Sequence, residues 1–105
     1  MSYALVRQAI LERKGITAHY HGYYREMCPH VIGTKRGREQ ALCYQFGGQS
    51  SSGFIQPDGS PDNWRCIVIA DLSGVQIVDV DTWHTAADHS RPQTCVDFVD
   101  VEVRY

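Results

Sequence analysis

At 105 residues, 43% of them hydrophobic and 21% charged, with a net charge of −2, the chain has the makeup of one globular domain able to fold by packing alone. No apolar run approaches the roughly 20 residues needed to cross a bilayer, which excludes a helical membrane span, and MSYALVRQAILERK lacks the basic start, apolar block and small-residue cleavage site of a secretory leader. Four cysteines in such a chain fit free thiols in a reducing, cytoplasmic compartment.

In chain order, residues 2 to 14 carry Ala4, Leu5, Ile10 and Leu11 at helical spacing, with Ser2 to cap and Gly15 to stop the helix. From Ile16 onward β-branched and aromatic residues dominate, punctuated by turn chemistry at Gly33-Thr34-Lys35-Arg36-Gly37, over 47 to 63 and at Ser73-Gly74. The pattern predicts strands near 16 to 21, 24 to 32, 39 to 46, 64 to 70, 74 to 80 and 96 to 104. In the third of these, Leu42, Tyr44 and Phe46 share one face and Ala41, Cys43 and Gln45 the other. Arg65 shares a face with Ile67 and Ile69 in the fourth. The expected fold is mainly β: one small, strongly bent sheet or barrel, spanning 16 to 104, with a single N-terminal α-helix. The C-terminal VDFVDVEVRY reads as an edge strand in need of a neighbour.

Charge is unevenly spread. Residues 1 to 50 hold seven Lys/Arg against three Asp/Glu, and residues 51 to 105 hold three against nine. A basic half can serve an anion or nucleic acid, although Lys35, Arg36 and Arg38 cluster in what reads as a solvated hairpin tip.

Several stretches could carry chemistry. Cys28, His30, Cys43, Cys66, His84, His89 and Cys95 include good zinc ligands, but no close pair of the C-x2-C kind aims two of them at one ion, so no metal is expected. Thiol catalysis by Cys28 with His30 and Arg25 lacks an oxyanion-hole element and sits beside Pro29, so no enzyme is expected either. The segment GGQSSSGFIQPDGSPDN, 47 to 63, is longer than a hairpin needs and offers backbone N–H groups for an anion nest, without the lysine and helix of a phosphate-binding P-loop. Segment 82 to 95, with Trp83, His84, His89 and Arg91, reads as an irregular loop around an aromatic anchor.

Together, YREMCPHVIGTKRGREQALCYQFGG and WRCIVIADLSGVQIVDVDTWHT resemble the core pattern of the WYL-domain family over roughly residues 16 to 84. That pattern runs from an aromatic-plus-Arg strand through a Pro-His and apolar pair, a glycine turn and an apolar strand to an Arg-x-apolar-x-apolar strand. ALCYQF stands where the family's Trp-Tyr-Leu triplet would be. The resemblance implies one WYL-like domain over 1 to 105, an Sm/SH3-like ligand-sensing barrel of the kind found in bacterial regulators that bind nucleotides or short nucleic acid. It points at Tyr20, Tyr24, Arg25, His30 and Arg65 as ligand-binding residues. Their chemistry suits an anionic ligand, since arginine forks grip phosphate, tyrosine offers a stacking face, and histidine can donate to an anion. One helix is too little for a helix-turn-helix. The expectation is thus a non-enzymatic regulatory module with no cofactor, binding a nucleotide or short nucleic-acid segment. The alternative is an adaptor that docks a protein partner on Trp83, or pairs with a second copy through the helix and the C-terminal strand.

Overall fold

The computed structural model describes residues 2–49, 55–57, 60–86 and 95–103. Helix α1 is Ser2–Glu12 and buries Val6, Ala9 and Ile10, an i, i+3, i+4 stripe. The expected stripe is rotated from this one: Leu11 is 60% exposed and Ala4 faces solvent. Small Ala9 lets the helix lie close to the sheet, and Tyr3, one turn before Val6, extends the contact. The stop also differs from expectation. Arg13 takes the left-handed conformation at φ 54°, the Lys14 N–H donates to the Ala9 carbonyl at 2.8 Å and the Arg13 N–H to the Ile10 carbonyl at 3.1 Å. This is the paired 6→1 and 5→2 closure of a Schellman motif, and it leaves Gly15 free to begin the first strand.

Six antiparallel strands follow: β1 Gly15–Tyr20, β2 Tyr23–Lys35, β3 Arg38–Gly48, β4 Trp64–Val68, β5 Leu72–Val78 and β6 Phe98–Glu102. Their order is β4-β3-β2-β1-β5, with β6 paired to β2. Two hairpins close with an X-Gly pair in which both residues have positive φ, His21-Gly22 (52° and 84°) and Arg36-Gly37 (52° and 80°). That is the type I′ geometry whose twist matches the strands it joins.

The long strand β2 organises the rest. Its first half pairs β1 through Tyr23–Met27, its second half pairs β6 through Val31–Thr34, and β3 runs along its other edge throughout. Between the halves, the register against β3 slips at Glu26/Met27 and again at Pro29/Val31. Each slip adds local bend and twist. Cys28-Pro29-His30 is therefore the corner at which β2 changes partners. The result is the expected bent sheet with one helix, left open instead of closed into a barrel. Its end strands β4 and β5 are joined by a 3₁₀ turn, Ile69–Asp71, and the Val68 N–H reaches across to the Tyr20 hydroxyl at 3.0 Å.

Apolar residues fill two layers. On one side Val6, Ala9 and Ile10 of α1 form a single cluster with Ile16, Ala18, Met27, Ile32, Ala41, Cys43, Ile67 and Leu72. On the opposite side Val31 and Leu42 pack with Cys95, Val96 and Trp64. Burial on both faces explains why residues 40 to 45 are all buried while their side chains still alternate. A hydrogen-bonded tie locks the helix to β6: Asp100 accepts from the Tyr3 hydroxyl at 2.6 Å and from Arg7 Nε at 3.1 Å. The Tyr3 hydrogen bond and the Arg7 charge hold the Asp100 carboxyl below its ordinary range.

The cysteines depart from expectation. Cys66 and Cys95 form a disulfide, whereas Cys28 and Cys43 are buried and stand outside it. Four free thiols were the cysteine argument for a reducing compartment, and that argument falls. Among the described residues no helix is long and apolar enough to cross a membrane.

Candidate functional site

Strand alternation decides which predicted residues meet. Residues two apart on a strand share a face, so Tyr23 and Arg25 project together and Tyr24 and Glu26 project the other way. On the face of the larger core cluster, which includes Tyr20, Arg25 extends across the Tyr20 ring with its guanidinium carbon 5.0 Å from the ring centroid, and lies 6.0 Å from that of Tyr23. Both rings attract a cation through their π-faces. Arg25 Nη1 donates to Gln45 Oε1 at 3.4 Å. Gln45 is itself held by two donations of its Nε2, to the Gly47 and Gln49 carbonyls at 2.9 Å each. Arg65 comes from β4 on the same face, and its Nη1 donates to the carbonyls of Asp62 at 2.6 Å and Trp64 at 3.1 Å.

The electrostatics of this cluster are unbalanced. Arg25 is only 3% exposed, and its Nε–H and that of Arg65 are buried donors without an acceptor. Neither guanidinium forms an ion pair among the described residues. Burial first, and then the charge of Arg65, pulls the Arg25 guanidinium below its ordinary range; burial does the same to Arg65, opposed by the more distant charge of Asp62. A buried cation without a counter-charge costs several kcal/mol. Buried Arg25, with half-buried Arg65 near enough for its charge to act on it and an unused Nε–H on each, has the chemistry to hold an anion.

Of the five residues singled out from sequence, Tyr20 and Arg25 meet here, and Arg65 lies near enough for its charge to act on Arg25. Tyr24 is not. It lines, with Glu26, Phe46, Asp79, Asp81 and His84, a cleft of about 590 Å³ on the other face. His30 is not either. It is fully buried, its Nδ1–H donates to the Cys28 carbonyl at 2.7 Å, its Nε2 pairs with the Thr85 hydroxyl at 3.1 Å, and its ring lies 4.7 Å from Trp64 and 5.0 Å from Trp83. A carbonyl can only accept, which fixes the proton on Nδ1. His30 thus holds the corner of β2 to the segment around Trp83, and Trp83, the expected partner anchor, is half-buried against it. Tyr23 and Gln45 join the site without having been expected. The signal for Tyr23 was its i, i+2 spacing from Arg25.

The 47 to 63 connection is tied down at both ends. The Gln49 N–H donates to the Tyr24 carbonyl at 2.8 Å, and fully buried Asn63 exchanges hydrogen bonds with the Gln56 backbone at 2.9 and 3.0 Å. The anion nest was expected beside Gly47, Gly48 and the three serines that follow; Gly47 and Gly48 end β3, whereas residues 50 to 54, like His89 and Arg91, lie outside the described residues. Among those described, no group of three or more His, Cys, Asp or Glu is placed to hold a metal ion. No family model, curated protein or solved structure matches the chain, so the reading of this site rests on its geometry.

Proposed function

We propose that the chain is a non-enzymatic ligand-sensing module that binds an anionic ligand, a nucleotide or short nucleic-acid segment, through Arg25 and Arg65, with Tyr20 and Tyr23 flanking. The observation that carries this is buried Arg25 without a counter-charge, its Nε–H unused, with half-buried Arg65, whose Nε–H is also unused, close enough for its charge to act on it. Phosphate oxygens would satisfy both donors and neutralise the pair. The resemblance to WYL domains supports the same choice, because three of the positions it singles out, 20, 25 and 65, form this cluster. Gln45 acts as a positioning residue, joining Arg25 to the start of the 47 to 63 connection.

The test is a thermal-shift and calorimetric screen against mononucleotides, cyclic nucleotides and short single-stranded oligonucleotides at low and high salt. A native-state ligand raises Tm by mass action, and neutralisation of phosphate makes the affinity fall with salt. Arg65→Ala is expected to fold and to lose the shift, since Arg65 contributes hydrogen bonds to carbonyls at the surface and no core packing. Retained binding in Arg65→Ala overturns the site. Failure of every nucleotide to shift a protein that melts cooperatively favours the adaptor reading instead, for which Phe98, 76% exposed on β6, is a better anchor than Trp83.

A further inference from the structure

We infer that the Arg25–Arg65 site takes a terminal phosphate monoester, the phosphorylated end of a nucleotide or strand, in preference to an internal phosphodiester. The inference rests on the proposal that the site holds an anion, and it goes on to name which anion.

Charge gives the first reason. Two guanidinium groups on one face lie within electrostatic reach of each other without an ion pair among the described residues, and the carboxylate of Asp62 acts on Arg65 only from beyond contact, its carbonyl being what Arg65 touches. An internal phosphodiester brings one negative charge, whereas a monoester carries about −1.5 to −2 at neutral pH and a third free oxygen. Two fixed cations with one orphaned donor each match the dianion better.

Access gives the second. Arg25 is 3% exposed and walled by Tyr20, Tyr23 and Gln45, whose side-chain amide is already committed to the Gly47 and Gln49 carbonyls. A phosphate inside a chain carries a sugar on each side, and both must leave the site; a terminal phosphate carries one. The ring of Tyr23 is half-buried and 6.0 Å from the Arg25 guanidinium, so its exposed part is the surface the attached sugar and base would meet. Base stacking on such a ring tolerates any sequence, so selectivity falls on the phosphorylated end and not on the base.

The experiment compares a fluorescent oligothymidylate bearing a 5′-phosphate with the same oligonucleotide ending in a 5′-hydroxyl, and a matched pair differing at the 3′ end, by anisotropy titration. At about pH 7.5 one phosphorylated end is expected to bind about tenfold or more tightly than its hydroxyl counterpart, equivalent to about 1.4 kcal/mol. The advantage should shrink toward pH 5, because the second phosphate proton binds with a pKa of about 6. Arg25→Met should erase it. Equal affinity of phosphorylated and unphosphorylated oligonucleotides, lost together in Arg25→Met and Arg65→Ala, would overturn the terminal preference while leaving an anion site. Absence of binding by all of them, and by mononucleotides, would overturn the anion site itself.

Discussion

Arg25→Met is expected to raise the melting temperature while abolishing anion binding. Most substitutions of a buried side chain destabilise, so the sign of this change is informative. In the free protein Arg25 gains the faces of Tyr20 and Tyr23 and one long hydrogen bond to Gln45, worth together about 2 kcal/mol. Against that stands a desolvated charge without a partner, whose effective cost is several kcal/mol. Methionine fills most of the same volume without charge or donor. The net gain should be on the order of 1 kcal/mol, or roughly 5 °C for a domain of this size. A guanidinium stays protonated throughout the working pH range, and burial lowers its affinity for the proton without bringing neutralisation within reach, so no ordinary change of pH relieves the cost. Only a counter-charge does. A ligand present at about 100 times its Kd would add about 2.7 kcal/mol to the wild-type protein and nothing to the variant, reversing their order. Calorimetry of both proteins with and without ligand reads the reversal directly; a variant that melts several degrees below wild type would show that Arg25 is structural.

Sequence pattern reached the fold more easily than the site. All six strands and the helix were legible because β-branched and aromatic runs separated by Gly-containing turns have few alternatives in a chain this short. The rotation of α1 was not, since Ala4, Leu5, Ile10 and Leu11 and the true stripe of Val6, Ala9 and Ile10 are both helical patterns; only docking against the sheet chooses between them. The Arg13 stop was hidden for a similar reason, a non-glycine residue adopting a left-handed conformation that local preference disfavours. At the site, Arg25 and Arg65 share one face because β2, β3 and β4 are neighbours. Period-2 alternation alone would have replaced Tyr24 with Tyr23. His30 is different: its position follows from the register slip at Pro29/Val31, and a slip of one residue moves a side chain to the other face without a mark in the sequence.

The disulfide carries the largest stability effect. Cys66 lies on β4 and Cys95 shortly before β6, 29 residues apart, and their bond ties the segment that covers Val31 and Leu42 to the strand beside it. Closing a loop of that length is worth about 3.5 kcal/mol in the chain-entropy treatment, which for a domain near this size corresponds to a fall in Tm on the order of 15 °C when the bond is removed. Cys66→Ser is expected to show that loss. Fold should survive it, because Gln40 Nε2 still donates to the Cys95 carbonyl at 2.7 Å and the Asp97 N–H to the Thr34 carbonyl at 2.8 Å. Thiol counting distinguishes this arrangement from four free cysteines. Cys28 and Cys43 are fully buried, and burial, reinforced by Cys28, raises the Cys43 thiol far above its ordinary range, so neither should react with a thiol reagent in the native protein. Denaturation without reductant should expose two thiols, and denaturation with reduction four, because the disulfide takes two of the four cysteines. Four reactive thiols in the unreduced, denatured protein would remove the disulfide and, with it, the reason for expecting Cys66→Ser to cost more than any single loss of packing on that face.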